Sequence, residues 1–142
     1  MVERFIDEIC EFLNIKPPKV SYDTSHFQSE TMMAQCVSTG ETIFIKPVTT
    51  PNPDYYLAIA HELRHIWQIR FHNIQYFANY KTRAMCNTLE EYNLQLAEVD
   101  ANAFGQIVMT DIFHLCPMWK GFSAKVVRAI NERTKEIVEE LS

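Results

Sequence analysis

Apolar residues recur at helical spacing in several long stretches of the chain, and a strand-like segment lies between the first and second of them. Near the N-terminus Val2, Phe5, Ile6, Ile9, Cys10 and Leu13 share one helical face and predict an amphipathic helix over 2–14. Lys16-Pro17-Pro18 ends it, because proline has no amide hydrogen and its ring clashes with the preceding turn. Residues 19–24 read as a short strand, and the polar stretch 25–33 predicts no definite element. Residues 34–38 and 42–46 flank Thr39-Gly40-Glu41, a compact turn signal, and predict a β-hairpin.

Pro47, Pro51 and Pro53 mark a loop that leads into the second helix. Asn52 is placed as its N-cap and Pro53 at its first position, where a missing amide hydrogen costs nothing. The apolar pattern carries this helix past His65, to about Phe77, and breaks around 79–87. Thr88 with Glu91 three residues on is a capping box opening a third helix, Leu89 to about Phe113, closed by Cys116-Pro117. A last helix from Phe122 to Leu141 places Phe122, Val126, Ile130, Ile137 and Leu141 on one face. The order α-β-β-β-α-α-α predicts one α+β domain over 1–142, with a small antiparallel or mixed sheet early and helices late.

Composition narrows the classes. The chain has 142 residues, enough for one domain with a core, and its 47% hydrophobic and 22% charged residues are ordinary for a globular protein. A net charge of −5 and the absence of a basic stripe argue against nucleic acid as a direct partner. No apolar run approaches the ~20 residues of a membrane span. The acidic, amphipathic start MVERFIDEIC does not read as a signal peptide. Cys10, Cys36, Cys86 and Cys116 are scattered, without a CxxC pair, and read as free thiols of a cytoplasmic protein.

Within the second helix, residues 61–65 read His-Glu-Leu-Arg-His, an HExxH motif. Positions i and i+4 lie one turn apart on the same face, so His61 and His65 can direct two imidazoles at one metal ion, usually zinc. Glu62 is placed to hold and deprotonate a metal-bound water. A third ligand is needed. His72 is roughly 10 Å further along the helix axis, too far to share the ion. Phe71 stands at the metzincin ligand position and Gln68 replaces that class's glycine, which excludes it.

The third helix offers Glu98, which shares a face with Ala101, Asn102 and Gly105. The small residues would let the two helices approach, and Asn102 could accept a hydrogen bond from a ligand histidine and fix its tautomer. Asp100 lies roughly opposite Glu98; it reads as solvent-facing or locally paired and stays open as an alternative ligand.

HExxH on one helix and Glu98-Val99-Asp100-Ala101-Asn102-Ala103-Phe104 on the next resemble the gluzincin peptidases. They look most like the ImmA/IrrE family of small cytosolic metallopeptidases from bacteria and their mobile elements. That resemblance covers roughly residues 1–115 and implies a compact zincin domain, with His61, His65 and Glu98 as zinc ligands and Glu62 as general base. It implies hydrolysis of a peptide bond in a specific cytosolic protein, such as a transcriptional repressor, held along an edge strand, here Thr42–Lys46. Arg64 stands where the family often has glycine and is a candidate substrate contact. Tyr76, Tyr80, Tyr92 and Arg64 are candidate oxyanion donors. The alternative is a zinc-binding interaction or sensor module of the same fold without turnover.

Overall fold

The structure, a computed structural model, describes residues 1–142. The chain forms six helices and a three-stranded sheet: α1 (Val2–Leu13), β1 (Lys19–Ser21), β2 (Ala34–Cys36), β3 (Thr42–Ile45), α2 (Pro53–Phe71), α3 (Asn73–Phe77), α4 (Leu89–Asn93), α5 (Leu96–Phe113) and α6 (Ala124–Glu140). A 3-10 turn, Arg83–Met85, lies between α3 and α4. The mixed α+β architecture matches the sequence pattern, and no helix is long and apolar enough to cross a membrane.

The β2–β3 hairpin forms with Gln35 opposite Phe44, and β1 joins the other side of β3 in parallel, with Val20 opposite Ile43. The order is therefore β1-β3-β2. This corrects the expectation that Thr42–Lys46 is an edge strand. β3 is central, its backbone is engaged on both sides, and β2 is the edge nearest α2.

Two predicted long helices are broken. Asn52 caps α2 by accepting from the Tyr55 amide, but at His72 the backbone leaves the helix (φ −140°, ψ 34°), so Asn73–Phe77 forms a separate short turn. The Thr88 hydroxyl caps α4 by accepting from the Glu91 amide, and then Gln95 adopts an extended backbone that separates α4 from α5. The Gln95 side chain accepts from the Lys81 amide and donates to the Lys81 and Tyr92 carbonyls, which ties the loop before α4 to the start of α5. The last helix begins at Ala124 rather than Phe122, because the Ser123 hydroxyl caps it.

The main core joins α1, the sheet, α2 and α5 through residues including Ile6, Ile43, Ile45, Ile59, Leu63, Ile66 and Phe104. A smaller cluster, Ala103, Ile107, Val126, Ile130 and Ile137, seats α6 on the far side of α5. Helix α5 is thus covered on both sides and buried without interruption from Ala97 to Met109. Its polar residues Glu98, Asp100, Asn102 and Gln106 must find partners inside the protein. Gly105 lets α2 come close: a Cβ there would lie 2.7 Å from the Leu57 Cδ1. All four cysteines are free; Cys10 and Cys86 are buried, Cys36 is half-buried and Cys116 is exposed.

Candidate metal centre

Helix α2 places His61 and His65 one turn apart on the side that faces α5, with ring centroids 4.5 Å apart and planes nearly perpendicular. Glu98, in the first turn of α5, lies between them. Its Oε1 is 3.2 Å from His61 Nε2 and its Oε2 is 3.1 Å from His65 Nε2. One donor atom from each of the three residues lies within 4.8 Å of the others, so the group could hold a metal ion. Donor bonds of about 2.0–2.1 Å in a tetrahedron set neighbouring ligand atoms about 3.3 Å apart. The two histidine–glutamate separations are close to that spacing, and two imidazole nitrogens with one carboxylate suit a borderline divalent ion.

Both rings are oriented from behind. His61 Nδ1 is 2.7 Å from Asn102 Oδ1, and His65 Nδ1 is 2.8 Å from Gln68 Oε1. An amide oxygen can only accept, so each Nδ1 carries a hydrogen and each Nε2 is the nitrogen that faces Glu98, free to ligate a metal ion once it holds no proton. The pair also shapes the electrostatics. Burial disfavours a His65 cation, but the adjacent Glu98 carboxylate outweighs it and raises the histidine to about 9. Burial alone would raise Glu98, yet the two imidazoles hold it well below the usual carboxylate range.

The centre is sealed on one side and open on the other. The His65 and Glu98 side chains are 9% and 3% exposed, whereas those of His61 and Glu62 are 17% and 15% exposed. Glu62 is anchored by the backbone: its Oε1 accepts from the Cys36 amide of β2 at 2.9 Å, leaving Oε2 at 3.6 Å from His61 Nε2. Among the candidate oxyanion donors, Tyr80 comes closest. Its hydroxyl donates to Glu98 Oε2 at 2.6 Å and lies 3.0 Å from the Tyr92 hydroxyl. Burial, reinforced by the Glu98 charge, keeps the Tyr80 and Tyr92 phenols protonated far above their ordinary range, so both remain donors. Tyr76 sits elsewhere, against Trp67 and Arg133. His72 packs on Trp67 at the end of α2, away from the centre.

Two expectations need correction. Arg64 does not face a substrate: its guanidinium is 3.7 Å from the centroid of the Trp67 ring and binds Asp100 through Nε and Nη2 at 2.7 and 3.0 Å. Asp100 is neither solvent-facing nor a spare ligand. It is fully buried, and it also accepts from Arg133 of α6 and from Gln68. The reason is α5's burial on both sides, which turns the face opposite Glu98 inward onto α6. Sequence reasoning passed over Gln68, although its position three residues after His65 puts it beside that ring. It also missed the Cys36 amide, which carries no side-chain signal.

Compared with protein-family models, with curated proteins and with solved structures, the chain finds no match.

Proposed function

We propose that this protein is a zinc-dependent peptidase of the compact zincin type that cleaves a specific cytoplasmic protein. The observation that carries the reading is the convergence of His61, His65 and Glu98 donor atoms beside a backbone-anchored Glu62, with the open side of the cluster at His61 and Glu62. An ion held by three protein ligands with one open position is the arrangement of catalytic rather than structural zinc sites. Zinc, when bound there, supplies a Lewis acid that polarises the scissile carbonyl and lowers the pKa of an attacking water from about 16 towards about 7.

The protein's own groups supply the rest. The Cys36 amide occupies Glu62 Oε1 and so presents Oε2 to the open side, where it takes the water proton and passes it to the leaving amine. Tyr80 spends its one hydroxyl hydrogen on Glu98, so Tyr92, whose hydroxyl is 3.0 Å from that of Tyr80, is the hydroxyl left to donate to the developing oxyanion. An extended peptide adds to the edge strand β2, whose Cys36 amide already faces Glu62.

A non-hydrolytic zinc-binding module is the second reading. It is favoured by the Tyr80 hydroxyl being already engaged by Glu98 and by Glu62 being engaged by β2. Metal analysis of purified protein is expected to find about one zinc per chain; folded protein that takes up no zinc would sink both readings. Glu62→Gln then separates them. In a peptidase it retains zinc and lowers cleavage of the cellular substrate by about 10²–10⁴-fold, whereas in a binding module the cellular phenotype is unchanged.

A further inference from the structure

Gln68 has no part in the chemistry above, yet its orientation is determined by its neighbours. Its side-chain nitrogen lies 3.0 Å from the Ala97 carbonyl and 2.8 Å from Asp100 Oδ2, and both of these groups accept only. The residue is fully buried, so water cannot take over either bond. With the nitrogen fixed there, the amide oxygen must point to His65 Nδ1 at 2.8 Å, which keeps that nitrogen protonated and leaves Nε2 facing Glu98 at 3.1 Å. Asp100 is itself held by Arg64 from α2 and by Arg133 from α6. The hydrogen-bonded chain His65–Gln68–Asp100–Arg133 therefore runs from the metal cluster to the C-terminal helix.

We propose that Gln68 is a positioning residue that sets the tautomer and ring plane of His65 for metal ligation, with Asp100 and the Ala97 carbonyl as its anchors. The inference rests on the reading of His61, His65 and Glu98 as a metal site. It differs from the part Asn102 plays for His61, because Gln68 ties its histidine to α6 as well as to α5.

The test compares wild type with Gln68→Met, which keeps bulk and removes the acceptor. Zinc affinity is read by competition with a chromophoric chelator, the coordination geometry by the visible spectrum of the cobalt(II) form, and folding by thermal unfolding of the metal-free protein. The variant is expected to unfold cooperatively, to bind zinc about 10- to 100-fold more weakly, and to give an altered cobalt spectrum. A folded variant with wild-type zinc affinity and an unchanged spectrum overturns the proposal and leaves the metal site standing. Wild-type protein that binds neither zinc nor cobalt overturns the metal site itself, and the proposal with it. Should the variant not fold, nitrogen NMR of the imidazoles in zinc-loaded wild type decides: His65 coordinated through Nε2 with Nδ1 protonated supports the role, and coordination through Nδ1 overturns it.

Discussion

Helices α2 and α5 bury two carboxylates, Glu98 and Asp100, and each is faced by two basic side chains. Glu98 meets the imidazoles of His61 and His65; Asp100 meets the guanidiniums of Arg64 and Arg133. The geometry is similar and the chemistry is not. A guanidinium has no lone pair to offer and does not give up its proton, so the Asp100 cluster is closed and can serve only to hold helices together. An imidazole can shed its proton and offer a lone pair, so the Glu98 cluster can exchange its protons for a metal ion. Exposure follows the same division: Asp100 is fully buried, while the Glu98 cluster opens at His61 and Glu62.

The comparison is broken most directly by removing each carboxylate in turn. Glu98→Ala is expected to abolish stoichiometric zinc binding, read by metal analysis after dialysis. Its cost to the metal-free fold should be modest, about 1–3 kcal/mol, since two neutral imidazoles can remain there. Asp100→Ala should do more damage to the fold. It leaves the buried Arg64 guanidinium without a counter-charge and takes from Arg133 its one buried counter-charge, leaving that side chain only the exposed carboxylates of Glu136 and Glu140. The loss of about 3–5 kcal/mol is read as a lower urea midpoint of the metal-free protein. If Asp100→Ala proves no more destabilising than Glu98→Ala, the assignment of one cluster to structure and the other to exchange fails.

Much of this arrangement was legible in the sequence, and the exceptions have physical causes. The caps at Asn52 and Thr88 are local, formed by side chains that reach an amide three residues on, so they appear where the pattern puts them. His61, His65, Glu98 and Asn102 were readable because helical spacing fixes which residues share a face, and Gly105 signalled the close approach of the helix that carries Glu98. The breaks at His72 and Gln95 were not readable. The apolar pattern runs through both, and at Gln95 the separating contacts come from Lys81, a residue distant in the chain. Arg64 and Asp100 were misplaced for a related reason. A charged pair looks solvent-facing until α6 is seen to cover it, and the sequence does not state which helix packs on which. The position of β3 at the centre of the sheet depends on β1 crossing over to pair in parallel, which a three-residue strand does not announce.

The pH dependence offers a finer separation of the two clusters. In the metal-free protein the Glu98 carboxylate overcomes the penalty of burial and raises His65 to about 9, so near neutral pH that ring carries a proton which zinc must displace. Zinc affinity is therefore expected to rise with pH, by up to about tenfold or ~1.4 kcal/mol per unit, and to level off near 9. The stability of the metal-free protein should move the other way. A raised histidine contributes fully below its unfolded pKa of about 6.5, and that contribution is lost as pH climbs through 9. Asp100 adds nothing to either slope in this range. Burial would raise its pKa, but Arg64, Gln68 and Arg133 hold it below the usual carboxylate value. Its contribution is complete above about 3.9 and disappears only as acid protonates it. Chelator competition at pH 6, 7 and 8, beside urea unfolding of metal-free protein over the same range, measures both slopes. A zinc affinity flat across those three points would mean that His65 is already neutral in the metal-free protein. The Glu98 cluster would then share the indifference of the Asp100 cluster to neutral pH, and proton exchange would no longer distinguish them.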